Sequence, residues 1–175
     1  MNHQVDPVLM ARIGAEFAEK FRHLQITKVL TIESSGIAPA LMTSFDLKVP
    51  LVFARKQKSR ILNNEVFSTT VYSYTKQSEN QISISKKFIS ANDRILIIDD
   101  FLANGQAVQG LLDIIEQAQA QAVGVGIVIE KAFQKGHQLI LSKHIPLFSL
   151  ASIDHLVDGK VIFSKKQEQA DVKQR

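Results

Sequence analysis

The chain has 175 residues, 45% hydrophobic and 22% charged, the proportions of an ordinary globular domain able to bury a sizeable core. It has no cysteine, which excludes disulfides, thiolate catalysis, zinc–thiolate sites and iron–sulfur clusters, and its five scattered histidines argue against structural zinc. The net charge is +4, of which the tail at 165–175 (KKQEQADVKQR) contributes +2, and no apolar run reaches the roughly 20 residues of a membrane span, so we expect a cytosolic protein that binds neither nucleic acid nor membrane.

The first expected element is a helix from Pro7 to about His23. Asp6 is placed to cap it and Pro7 suits its first turn. Leu9, Ile13, Phe17 and Phe21 recur every four residues as an apolar stripe, with Met10 and Ala18 alongside. A strand at 28–32 (KVLTI) is followed by the loop 33–39 (ESSGIAP), a short helix at 38–45 and a strand at 49–54 (VPLVFA). Strand, helix and strand make a βαβ unit, which implies parallel pairing. Residues 67–75 and 81–86 alternate in polarity and are rich in β-branched and aromatic residues, which predicts a hairpin with one solvated face and a polar tip at 76–80 (KQSEN). RILII at 94–98 reads as a central strand ending at Asp99 and Asp100. The loop 101–107 (FLANGQA) leads into a helix over about 106–120. A strand at 123–133, a helix at 134–144 and strands at 147–153 and 160–164 complete the order. The alternation predicts an α/β fold in which one domain, 1–164, carries a twisted, mostly parallel sheet with helices on both faces. Residues 165–175 read as a frayed, polar end.

Ligands of such sheets bind beyond the carboxyl ends of the strands. The segments found there are ESSGIAPA, ARKQKS, DDFLANGQA and EKAF, so every unusual polar constellation of the chain falls on one edge. Asp99 and Asp100 are adjacent like charges that call for cations or hydroxyl donors nearby. Ala103, Asn104, Gly105, Gln106 and Ala107 are mostly small and lead into a helix N-terminus, where unpaired amides and the helix dipole favour an anion. Together these suit a ligand with a vicinal diol and a terminal phosphate, such as ribose 5-phosphate. Arg55, Lys56, Lys58 and Arg60 cluster without an intervening acid, which suits a multiply phosphorylated ligand. Neither GxxxxGK[ST] nor GxGxxG occurs, which argues against a nucleotide triphosphatase or a dinucleotide enzyme.

ILIIDDFLANGQA resembles the phosphoribosylpyrophosphate (PRPP) signature of the type I phosphoribosyltransferases. TIESSGIAPA, VPLVFARKQKS and GIVIEKAF resemble the xanthine branch of that family, in matching order and spacing from Asn2 to about residue 164. The resemblance implies transfer of ribose 5-phosphate from PRPP to a purine, with Mg²⁺ held mainly by the substrate and no assigned protein ligand. It implies that residues 103–107 hold the 5-phosphate and that Asp99 and Asp100 meet the ribose hydroxyls. Ser34, Ser35 and Gly36 would form the pyrophosphate loop, often with a non-proline cis bond, and Arg55 and Lys56 would contact the diphosphate. Residues 60–90 would form a hairpin lid, Lys131 would contact an exocyclic oxygen of the purine, and Asn2 would contact the base from a small N-terminal hood. Phe133 is a further candidate to stack on the base. Xanthine is the implied substrate, with guanine or hypoxanthine as the alternative; a lysine donor at 131 fits a 6-oxo purine better than adenine. The family also implies a homodimer. Relatives carry a short segment ahead of the Asn2 position, so a chain starting there is expected to bind base more weakly than PRPP.

A regulator that kept the fold without catalysis would need a winged helix or a broad basic face, and neither is evident. His3, His23, His137, His144 and His155 lie outside the motifs and read as surface residues. Tyr72 and Tyr74 read as lid packing.

Overall fold

The computed structural model describes residues 4–57, 65–73, 78–157 and 159–164. Asn2, Lys58, Arg60, Tyr74 and the tail at 165–175 lie outside the described residues. The strands are β1 (Lys28–Ile32), β2 (Leu51–Gln57), β3 (Val66–Ser73), β4 (Ser78–Ser85), β5 (Arg94–Leu102), β6 (Gln121–Lys131), β7 (Leu147–Val157) and β8 (Lys160–Phe163). They form one sheet in the order β3–β4–β2–β1–β5–β6–β7–β8. The run from β2 to β7 is parallel, whereas β3 and β4 pair antiparallel, β4 joins β2 antiparallel, and β8 closes the far edge antiparallel.

Among the described residues four α-helices cover the sheet: α1 (Pro7–Phe21), α2 (Ile37–Leu47), α3 (Gln106–Gln117) and α4 (Lys135–Ser142). Phe17 and Phe21 of α1 join Val29, Leu96 and Ile98 in one core cluster, while Leu111 and Ile114 of α3 join Leu30, Ile95, Ile97, Ile127 and Ile140 in another. The two clusters lie on opposite faces, because successive residues of a strand point to opposite sides. Ile95, Leu96, Ile97 and Ile98 are all fully buried, so β5 is covered on both faces, which is why its sequence runs apolar without alternation.

Asp6 caps α1 as expected, its Oδ1 accepting from the amides of Val8 and Leu9 at 2.9 and 3.0 Å. The apolar stripe of α1 departs from expectation at Leu9, which is half exposed while Met10 is buried. A spacing of four overruns the 3.6-residue turn by about 40° per step, so the N-terminal member has rotated off the core face.

Three differences from the expected boundaries bear on the site, among smaller shifts at other element ends. β5 continues past Ile98 to Leu102, because β6 runs to Lys131 and supplies partners: Phe101 lies opposite Ile129 and Leu102 opposite Glu130. Asp99 and Asp100 therefore belong to the strand. β2 starts at Leu51 and carries Arg55 and Lys56 within it, opposite Ser83 and Ile82 of β4, so these two cations are part of a ladder. The hairpin register runs to Ser73 opposite Ser78, which draws residues 78–80 of the expected tip into β4.

At the amino edge of the sheet, Lys28 Nζ meets Asp93 Oδ2 at 2.6 Å, and Thr27 Oγ1 and the Ser90 amide donate to the same carboxylate. Burial acts to raise the Asp93 carboxyl; the hydrogen bonds from Lys28, Ser90 and Thr27 outweigh it and hold the group below its ordinary range.

Candidate active site

The carboxyl edge of β1 turns through residues 33–36 into α2, with a cis peptide bond between Glu33 and Ser34. This loop is fastened on both sides. Toward β2, the Lys56 amide donates to Glu33 Oε1 at 2.5 Å and the Glu33 amide donates to Ala54 O at 3.0 Å. Toward β5, Ser35 Oγ donates to Asp100 Oδ1 at 3.0 Å. Ser34 is exposed and Ser35 half-buried, while Gly36 is buried against Thr31 and Asp99.

Asp99 is almost fully buried, at 4% exposure, and Asp100 is partly exposed beside it. Burial first, and the neighbouring Asp100 charge second, push the Asp99 carboxyl up to about 8. The Asp100 amide and the Lys56 ammonium act in the opposite direction and are outweighed. Near neutral pH Asp99 therefore favours its protonated form.

Beyond Leu102 the chain makes a tight loop, Ala103–Gly105, into α3. Gly105 has φ +79°, a left-handed backbone that side chains disfavour, and a Cβ there would lie 2.9 Å from Leu139. The first-turn amides of α3 have no carbonyl partner within the helix. Ala103, Asn104, Gly105, Gln106 and Ala107 line a cavity of about 410 Å³ together with Lys131 and Phe101. Tyr72 of β3 and Gln134 also line it. The Lys131 ammonium stands 5.3 Å from the centre of the Phe101 ring, a cation–π contact.

The sequence candidates thus sort as follows. Residues 103–107 and Lys131 share one cavity. Asp99 and Asp100 sit on the strand that feeds it, joined through Ser35 to loop 33–36. Arg55 and Lys56 are exposed near the end of β2, with Lys56 close enough to act on Asp99. Phe133 is half-exposed and does not line the cavity. Sequence reasoning did not single out Phe101 or Gln134, took Tyr72 only for lid packing and gave Glu33 no role apart from its loop. Phe101 carried a signal: in a strand continued past the acids, it alternates with buried Leu102 and must face outward.

This edge, where an amide-lined loop, paired carboxylates and a second fastened loop converge, is that of a nucleotide-forming transferase, and the chain belongs to the phosphoribosyl transferase domain family, which it matches over residues 6–154. It is 72% identical to the xanthine phosphoribosyltransferase of Oenococcus oeni over 172 residues, covering 98% of this chain and 84% of the relative. It is 58% identical to the xanthine phosphoribosyltransferase of Levilactobacillus brevis, covering 94% of this chain and 86% of that one. Among solved structures, the APRTase of Giardia lamblia complexed with 9-deazaadenine superposes with a TM-score of 0.74 at 25% identity, covering 85% of this chain and 82% of its own. The adenine phosphoribosyltransferase of Thermoanaerobacter pseudethanolicus superposes at 0.73 with 18% identity, over 84% and 82% of the two chains, a likeness of fold alone.

Proposed function

We propose that this protein is a xanthine phosphoribosyltransferase: it transfers the 5-phosphoribosyl group of PRPP to xanthine, giving XMP and pyrophosphate in purine salvage. The observation that carries this reading is that the amide loop 103–107 and Lys131 line the same cavity. A phosphate on the loop and a purine oxygen at Lys131 are then two ends of one nucleotide.

In this reading the loop 103–107 receives the 5-phosphate, because its amides are preorganised for an anion and need no reorientation. Asp99 and Asp100 meet the ribose hydroxyls, and the proton that Asp99 favours near neutral pH lets it donate to one of them. Ser34, Ser35 and Gly36, with Arg55 and Lys56, face the diphosphate. The anomeric C–O bond breaks and its electron pair leaves with the diphosphate; a purine nitrogen supplies the pair for the new C–N bond and gives up its proton. Positive charge builds on the ribose ring and negative charge on the leaving group, so fixed cations at the leaving group lower the barrier.

Mg²⁺ fits this arrangement. The Asp100 carboxylate is a hard oxygen donor at the rim, and among the described residues no group of three acidic or histidine side chains forms a metal cage. The ion would be held mainly by diphosphate and ribose oxygens. When bound, it neutralises charge developing on the diphosphate.

Lys131 donates to an exocyclic oxygen of the base, and the aromatic face falls to Phe101 ahead of the more exposed Phe133. Asn2 is the further base contact, and the β3–β4 hairpin the lid that keeps water from the ribose. Residues 1–164 act as one domain. Leu41 and Phe45, one turn apart on α2, and Phe53 on β2 are exposed apolar residues that suit a homodimer contact. The enzyme works in the cytoplasm.

The test is pyrophosphate release with PRPP, Mg²⁺ and each of xanthine, guanine, hypoxanthine and adenine. Xanthine turning over with the highest kcat/KM is the expected result. Turnover with adenine alone, or with no base, would overturn the assignment.

A further inference from the structure

Glu130 is a buried acid, 3% exposed, on β6 between Leu102 of β5 and Ser152 of β7. Its carboxylate meets Nδ1 of His137, the third residue of α4. Neither side chain lines the cavity, so nothing in the reaction described above uses them directly.

The residue before His137 explains what the pair is for. The Gly136 amide donates to Ala103 O at 2.9 Å. A Cβ on Gly136 would lie 2.5 Å from that oxygen and 2.9 Å from the Gly105 amide nitrogen, so the first turn of α4 lies in backbone contact with the loop. α4 spans only eight residues, and of its members only Gly136 and Ile140 are buried. Such a short helix has little apolar anchorage of its own. A buried carboxylate, in turn, is costly to leave without a partner. The pair therefore fixes α4 to β6, and α4 braces the loop from behind.

We infer that Glu130 and His137 are positioning residues for the loop 103–107, holding its amides in the geometry that receives the 5-phosphate. The inference rests on the reading of that loop as the phosphate site. It adds to the expectation that His137 is a surface residue: its ring is one-third exposed and paired to a buried acid.

Steady-state kinetics with PRPP and xanthine varied in turn test this on the full chain. His137→Ala should raise the KM for PRPP about tenfold, while kcat and the KM for xanthine stay within about threefold, because a binding contact is loosened and the reacting groups are untouched. His137→Arg, which places a guanidinium donor against Glu130, should return the PRPP KM to within about twofold of wild type. Should His137→Ala fail to fold, His137→Gln keeps a neutral donor and should show the same split to a smaller degree. A folded alanine or glutamine variant with the wild-type PRPP KM, or one in which kcat and both KM values move together, would overturn the inference alone. Wild-type protein that neither binds nor consumes PRPP would overturn the phosphate-site reading and the inference with it.

Discussion

Gly36→Ala offers a clean perturbation, because its cost comes from contact and not from backbone strain. Gly36 has φ −67° and ψ −17°, helical values open to any residue. A Cβ built there would lie 2.3 Å from Thr31 Oγ1 and 2.8 Å from Asp99 Oδ1. Both neighbours stand on central strands, β1 and β5, which cannot give way without opening the sheet. Overpacking of this kind costs about 1–3 kcal/mol, and alanine is also a poorer helix N-cap than glycine, so we expect about 2–3 kcal/mol. For a chain of this length that lowers Tm by about 4–12 °C. Loop 33–36 must lift to relieve the clash, so the KM for PRPP should rise about tenfold or more. Thr31 Oγ1 is buried with no hydrogen-bond partner among the described residues, so Thr31→Ala should itself cost little. In that background Gly36→Ala should be milder by at least about 1 kcal/mol, a coupling readable from melts of the four proteins. An alanine variant that melts with wild type, or that loses the same Tm with and without the Thr31 hydroxyl, would refute the reasoning.

Three further expectations follow from the site and its supports. The folded protein holds the Asp99 proton from the ordinary 3.8 up to about 8, so its contribution to stability is complete below that window and lost as pH rises through it. Asp99→Asn should flatten the decline of Tm between about pH 4 and pH 8, and pairing it with Asp100→Asn should cut turnover by about 100-fold or more while the fold survives. Lys131→Met should raise the KM for xanthine about 10- to 100-fold, the range of a charged hydrogen bond, while PRPP binding by calorimetry is unchanged. Asp93→Ala should cost about 2–4 kcal/mol, since it strands the half-buried Lys28, yet leave the PRPP KM as it is, because the pair lies at the opposite edge of the sheet. The Asp93 contribution has the reverse pH sign: it is present above the ordinary 3.8 and lost as pH falls through the lowered value, which acid titration of wild type and variant would separate.

Much of the fold was legible because strands alternate with helices along the chain and because the stripe with Phe17 and Phe21 marks the face that α1 buries. The candidate edge was legible too, since four polar segments each follow an apolar strand. What escaped was set by pairing between distant segments. Nothing local to RILII says that β6 will run on to Lys131 and carry β5 with it through Asp99 to Leu102. For that reason the outward turn of Phe101 toward Lys131 was missed, and Phe133 was offered in its place. The link from Glu130 to His137 likewise spans a turn and a helix start, so the histidine read only as a surface residue. The Glu33 bond to the Lys56 amide depends on the register of β1 with β2, which the sequence of neither strand determines.

The strand order has a consequence for how the site comes into being. β1 lies between β2 and β5, so residues 33–36, 55–56 and 99–107 meet only after strands far apart in the chain have closed on either side of it. In the proposed reading, the segments that take the sugar phosphate come together only in the assembled sheet. Occupancy is then linked to global unfolding, and saturating donor at about 100 times its Kd should add about 2.7 kcal/mol to the whole sheet. Amides of β1 and β5, deep in the middle, should slow their hydrogen exchange as much as those touching the donor.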